Sequence, residues 1–204
     1  MNKELLTHYK EKIIQFENEN KTLNKGGFVF VGDSITEQYP LIEFFPNKQI
    51  INRGISGDTT KGLLKRLDSS VFALEPLLVL ILIGTNDFGH FSHQLPQVVY
   101  ERIFKAITQI QLRLPNTKIY LQAIYPVNNH INQEVVNSRE NKDITLVNKL
   151  LKAIGGITFL DYSTMLIDDL KALSKAFSDD GLHLNHYGYS LVTNLLKKSI
   201  PELN

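Results

Sequence analysis

Four short stretches of this 204-residue chain carry the side chains from which acyl transfer can be built. Gly32-Asp33-Ser34-Ile35-Thr36-Glu37 offers a hydroxyl directly after the apolar run Phe28-Val29-Phe30-Val31. Asp179-Asp180-Gly181-Leu182-His183 offers an imidazole, which titrates near neutrality, with a carboxylate three residues before it at Asp180. Ester hydrolysis by serine needs a base for the hydroxyl proton, an acid to orient that base, and donors aimed at the developing oxyanion. The amides of Ser34 and Gly57, the latter in Gly54-Ile55-Ser56-Gly57-Asp58, and the carboxamide of Asn86, in Gly84-Thr85-Asn86-Asp87, can supply those donors.

Each stretch also has a plainer use. Ser34 and Glu37 fit a capping box, in which serine and glutamate satisfy orphan amides at a helix start. Asp33 reads as a turn or cap residue that fixes the loop. Ser56 fails as the nucleophile of a Gly-x-Ser-x-Gly elbow, because position 58 is Asp58, which is itself placed to cap the following helix. Spacing alone leaves Asp179 beside Asp180 as the acid. Asn86 can be a turn asparagine and Gly57 a turn glycine, while Asp87 reads as the holder of the loop that presents Asn86. Phe88, His90, Tyr125 and Val127 lie beyond strand ends and are candidates for a substrate-lining wall, although aromatic residues more often end in the core. His90 with His93, and His183 with His186, share a three-residue spacing without the further ligands a zinc site needs, so no metal is expected. Neither Gly-x-Gly-x-x-Gly nor a Walker lysine occurs, and no cofactor is expected.

The elements that must position these residues follow from hydropathy. Phe28–Val31, Gln49–Asn52, Leu77–Ile83, Lys118–Ile124 and Ile157–Leu160 are short apolar runs that read as buried strands. Thr60–Phe72, Leu95–Leu114 and Gln133–Ile154 between them show helical spacing. This alternation predicts parallel strands with crossover helices in a layered α/β fold. Helices near Lys3–Glu19 and Tyr187–Lys198 stand outside it and are expected to cover the sheet. With no repeat or Gly/Ser linker, residues 1–204 are expected to form one domain, the helix over 3–19 packed on it. Ligands of open parallel sheets bind beyond the carboxyl ends of the strands, which is where Ser34, Gly57 and Asn86 fall.

Composition narrows the function. Lysine and arginine total 22 against 21 acidic residues, so no general field attracts nucleic acid or an anionic membrane. The apolar run Leu77–Ile83 is far shorter than the roughly 20 residues of a membrane helix, and stable membrane insertion is not expected. Without cysteine, covalent catalysis must use another nucleophile. The first ten residues scatter charge and lack the apolar core of a signal peptide, so a cytoplasmic location is expected.

The four motifs, in this order, resemble those of the SGNH or GDSL hydrolases, across Gly32-Asp33-Ser34, Gly54 to Asp58, Gly84 to Asp87 and Asp180-Gly181-Leu182-His183. The stretch Asn52 to Thr60 is similar to the branch with platelet-activating-factor acetylhydrolase subunits and bacterial carbohydrate acetylesterases. The resemblance implies Ser34 as nucleophile, Asp180 rather than Asp179 beside His183, and oxyanion donors at Ser34, Gly57 and Asn86. It also implies a flavodoxin-like three-layer α/β/α sandwich with a five-stranded parallel sheet. The expected activity is a metal-independent serine esterase acting on short acyl esters, foremost acetyl, of a carbohydrate or other small alcohol. Alternatives are a lysophospholipase or thioesterase for longer acyl chains, or a non-catalytic ligand-binding module on the same scaffold. The expected partner is a small-molecule ester, with a homodimer suggested by analogy.

Overall fold

The structure, a computed structural model, describes residues 3–89 and 92–204. Five strands form one all-parallel sheet: β1 (Phe28–Gly32), β2 (Ile50–Gly54), β3 (Leu78–Leu82), β4 (Lys118–Gln122) and β5 (Thr158–Leu160), in the order β2-β1-β3-β4-β5. Each strand was legible as a short run rich in apolar residues, most plainly β3, which is buried throughout and so does not alternate with polar residues. The register pairs Gly32 with both Gly54 and Leu82, so the carboxyl ends of β1, β2 and β3 lie level. The chain moves from β1 to β2 on one side and returns to β3 on the other. That reversal opens the crevice in which doubly wound sheets bind ligands.

The described α-helices are α1 (Lys3–Glu19), α2 (Ser34–Glu37), α3 (Leu41–Phe44), α4 (Thr60–Lys65), α5 (Leu67–Ser70), α6 (Pro96–Arg113), α7 (Gln133–Val136), α8 (Asn141–Leu151), α9 (Ser163–Leu166) and α10 (His186–Ser199), and short 3-10 turns stand at Phe72–Leu74, Thr85–Asp87 and Pro201–Leu203. One hydrophobic layer joins Val29, Val31, Val79 and Ile81 of the sheet to Leu63, Ile103, Ile107 and Val147 of α4, α6 and α8. The other joins Phe30, Leu80 and Leu82 to Ile35, Tyr39, Val192 and Leu196 of α2, its following turn and α10. Successive strand residues point to opposite faces, so these two layers are the α/β/α sandwich. Among the described residues, no helix is long and apolar enough to cross a membrane.

Three expectations change in detail. The helix expected over Thr60–Phe72 divides into α4 and α5 at Arg66, whose backbone leaves the helical region while its side chain turns inward. The helix expected over Gln133–Ile154 divides into α7 and α8 at Asn137, which sits at φ 48°, a conformation asparagine tolerates better than most residues. The N-terminal helix α1 stands beside α5 and edge strand β2 instead of over a sheet face. Its buried side chain is Phe16, against which the Arg53 guanidinium stacks at 4.4 Å from the ring centre.

Candidate active site

Ser34 opens α2 but does not cap it. Asp33 is the cap, its Oδ1 accepting from the Ile35 amide at 3.0 Å. The Glu37 end of the capping box is engaged elsewhere: its Oε2 accepts from the Ser56 amide at 2.6 Å and pairs with His8 Nε2 at 3.0 Å, while Lys12 approaches Oε1 at 3.3 Å. Burial works to raise the Glu37 carboxyl, yet the bonds from Ser56 and His8 outweigh it and hold the group below its usual range. The turn is anchored from α10, in the same layer, by Tyr189, whose hydroxyl donates to the Ile35 carbonyl at 2.8 Å. The Ser34 hydroxyl is thus left free of helix duties.

That hydroxyl lies 2.9 Å from Nε2 of His183, and His183 Nδ1 lies 2.7 Å from Oδ2 of Asp180. A carboxylate can only accept, so Nδ1 carries the proton and Nε2 of the neutral ring is free to accept from Ser34. Asp180 is fixed in turn through Oδ1, which accepts from the amides of His183 at 2.8 Å and Leu182 at 2.9 Å. Partial burial pushes the Asp180 carboxyl up, but the bonds from the His183 ring and from these amides prevail, and its value falls below the ordinary one. Asp179 is exposed and accepts from Asn185 instead. The bend requires Gly181: φ is +79°, and a Cβ there would collide with the Asn128 carbonyl.

The expected oxyanion donors sit on the two neighbouring strand ends. Gly57 adopts φ +74°, and among the described residues neither its amide nor that of Ser34 donates to a protein acceptor. Asn86 lies in a 3-10 turn, Thr85–Asp87, where its Nδ2 donates to the Asp58 carbonyl at 3.0 Å and its Oδ1 accepts from Arg139 at 2.7 Å. Asp87 fastens this turn to the start of α4, accepting from the Thr60 amide at 2.8 Å and hydroxyl at 2.7 Å. Asp58 ion-pairs with Arg66 at 2.7 Å, while Thr59, not Asp58, caps α4. Beyond Gly57 and Asn86 opens a cavity of about 570 Å³, walled partly by Leu5, Leu6 and Tyr9 of α1. A hydroxyl, an imidazole and a carboxylate in series, beside unpaired amides, can perform acyl transfer.

The profile of the GDSL-like lipase/acylhydrolase family matches residues 30–191, which include Ser34, Gly57, Asn86, Asp180 and His183. The chain belongs to the GDSL-like lipase/acylhydrolase family. Among relatives of this GDSL chain, platelet-activating factor acetylhydrolase IB subunit alpha1 of Bos taurus is 29% identical over 182 residues, 86% of this chain and 75% of the relative. The alpha2 subunit of Rattus norvegicus is 29% identical over 185 residues, 86% of this chain and 76% of its own length. Of solved structures, a GDSL-like lipase from Bacteroides thetaiotaomicron superposes with a TM-score of 0.81 at 26% identity, covering 94% of this chain and 98% of that one. The GDSL chain is accordingly a carboxylic ester hydrolase.

Other readings of the GDSL chain need correction. Phe88, Tyr125 and Val127 are 2%, 3% and 3% exposed. Phe88 and Val127 pack in the α6 and α8 layer, and Tyr125 in the α10 layer, its hydroxyl bonded to Gln122. They stand behind the rim as core residues and do not form an exposed substrate wall, because α6 and α8 cover Phe88 and Val127 on one face and α10 covers Tyr125 on the other. His90 lies outside the described residues. His186 is exposed and faces Glu43 at 3.6 Å. What sequence reasoning missed is a set of buried arginines. Arg66 left one signal: it falls on the buried stripe of Leu63, Leu67 and Ser70, where a solvated charge has no place.

Asp33 gives a pH test of this arrangement. Burial pushes its carboxyl up to about 7, opposed by the Ile35 amide and reinforced by Asp58. The folded chain therefore holds a proton that the unfolded chain, with its carboxyl near 3.8, releases earlier. The stability from this group is complete below about pH 4 and lost as pH rises through about 7. Asp33→Asn retains the oxygen that Ile35 uses. In urea unfolding between pH 4 and 8, the native protein should lose on the order of a few kcal/mol relative to this variant. A difference that stays flat across that window rules the buried carboxyl out.

Proposed function

We propose that the protein is a serine esterase that removes short acyl groups, foremost acetyl, from a carbohydrate or other small alcohol. The observation that carries the reading is the unbroken series Ser34 Oγ, His183 Nε2, His183 Nδ1 and Asp180 Oδ2, with links of 2.9 and 2.7 Å. Ser34 attacks the ester carbonyl as Nε2 takes its proton. The tetrahedral oxyanion rests on the amides of Ser34 and Gly57 and on Asn86 Nδ2. His183 returns the proton to the departing alcohol, leaving an acyl-serine, and water repeats the sequence to release the acid.

The acetyl preference draws support from the relatives named as acetylhydrolases. It also accords with the cavity beside Gly57 and Asn86, lined mainly by polar and basic side chains such as Thr59, Lys61, Lys65 and Gln94 with apolar ones only from Leu5, Leu6 and Tyr9, since a long acyl chain needs a continuous apolar channel. Rates on 4-nitrophenyl acetate, butyrate and octanoate test the reading. A fall in kcat/KM of about tenfold or more from acetate to octanoate is expected, within the discrimination that a few methylenes allow. A rise along the series would replace it with the longer-chain acylhydrolase.

A further inference from the structure

We infer that Arg139 is a positioning residue of the oxyanion site: its guanidinium grips the Asn86 carboxamide by the oxygen and so commits the Nδ2 end to the developing negative charge. The inference rests on the reading of Asn86 as an oxyanion donor. Arg139 is 5% exposed and enters from the break between α7 and α8. Its Nη2 donates to Asn86 Oδ1 at 2.7 Å, its Nε to the Thr85 carbonyl at 3.0 Å and its Nη1 to the Val136 carbonyl at 3.1 Å. It therefore clamps both the backbone and the side chain of the turn that presents Asn86.

The chemistry of a carboxamide explains why such a clamp matters. Its oxygen and nitrogen ends have nearly the same shape, and a half-turn about the last side-chain bond exchanges them. With the oxygen forward, Asn86 would repel an oxyanion. Arginine has donors only, so a reversed amide would set NH2 against a guanidinium. The Asp58 carbonyl acts in the same sense by accepting one Nδ2 hydrogen at 3.0 Å, which leaves the other for substrate. The cation also polarises the amide through its charge-assisted bond and makes the remaining N–H a stronger donor. All the acceptors of Arg139 among the described residues are carbonyl or carboxamide oxygens, not carboxylates. The carboxylate that acts on Arg139 is Asp33, which reaches it through space and without a hydrogen bond, so the guanidinium's direct bonds all go to the turn that presents Asn86 and to the α7 carbonyls.

The test is a double-mutant cycle on 4-nitrophenyl acetate: native protein, Arg139→Gln, Asn86→Ala and the pair, with Arg139→Lys as the conservative variant. Activity is expressed per serine titrated by a fluorophosphonate, so that unfolded material does not count. Arg139→Gln is expected to lower kcat by about ten- to a hundredfold, approaching the loss of an oxyanion donor, with KM within about threefold. The pair should fall no further than Asn86→Ala alone, and Arg139→Lys, which keeps charge and a donor, should recover part of the loss. Should Arg139→Gln not fold, the same cycle run with Arg139→Lys decides. Losses that multiply, with Asn86→Ala itself impaired, would leave Arg139 a scaffold residue only. If Asn86→Ala has ordinary kcat, both the donor reading and this inference fall.

Discussion

Ser34→Ala is expected to lower kcat by about four to six orders of magnitude on every ester the native protein cleaves, the scale of loss when a triad nucleophile is removed. The residual rate would come from water attacking a carbonyl still held by the oxyanion donors. Folding should hardly change, because the described partner of the Ser34 hydroxyl is the His183 ring, and a partly exposed hydrogen bond of this kind contributes about 1 kcal/mol. A fluorophosphonate should add once, at Ser34, and not at all to the variant. The pair of measurements separates the alternatives. A labelled native protein and an inert variant establish the activated serine. An unlabelled but folded native protein returns Ser34 to the first turn of α2 and makes a non-catalytic ligand-binding module the better account.

How far this site was legible depends on what each residue's role requires locally. Strands of a covered parallel sheet are rich in apolar residues, fully so in β3 and less so in β2, β4 and β5, so all five could be read, and with them the carboxyl-end rim on which Ser34, Gly57 and Asn86 stand. Asp180 and His183 were legible because their bond spans three residues and one glycine bend. Asp33 and Asp87 fell to their expected structural parts for the same reason, since caps and turn braces act over short distances. Phe88, Tyr125 and Val127 misled because position after a strand fixes the rim but not which side of it a side chain takes. Arg66 and Arg139 were hidden more deeply. Periodicity marks Arg66 only by its place on a buried stripe and Arg139 not at all, whereas each lies between two helices and turns inward to acceptors far along the chain, Gly32 for one and Thr85 for the other. Their partners are mostly backbone carbonyls, which carry no sequence signal.

Arg66→Met should reveal how much of the rim depends on one such side chain. Arg66 is 1% exposed at its side chain and its ion-pair partner Asp58 is 0%. Besides Asp58 Oδ2, the guanidinium serves the carbonyls of Gly32 and Arg53 at 2.8 Å each and the Ser70 hydroxyl at 2.9 Å. It thereby joins the ends of β1 and β2 to the loop that carries Gly57. Methionine fills much of the volume but leaves Asp58 as a buried charge without a countercharge, a loss of about 3 to 5 kcal/mol. For a chain of this length that is a drop in Tm of roughly 10 °C. Burial already raises the Asp58 carboxyl, with Arg66 opposing; without Arg66 the rise is larger. A raised carboxyl contributes its stability at low pH and loses it as pH climbs, so the deficit of Arg66→Met should be smaller at pH 5 than at pH 8. Adding Asp58→Asn should recover part of the deficit at pH 8 by removing the stranded charge. Thermal and urea unfolding of the single and double variants at both pH values would decide. A pH-independent deficit, or one that Asp58→Asn deepens, would mean that the carbonyl bonds rather than the ion pair carry the role of Arg66. Because the same guanidinium spans Gly32 and Asp58, kcat should fall together with stability, through misplacement of the Gly57 amide relative to Ser34.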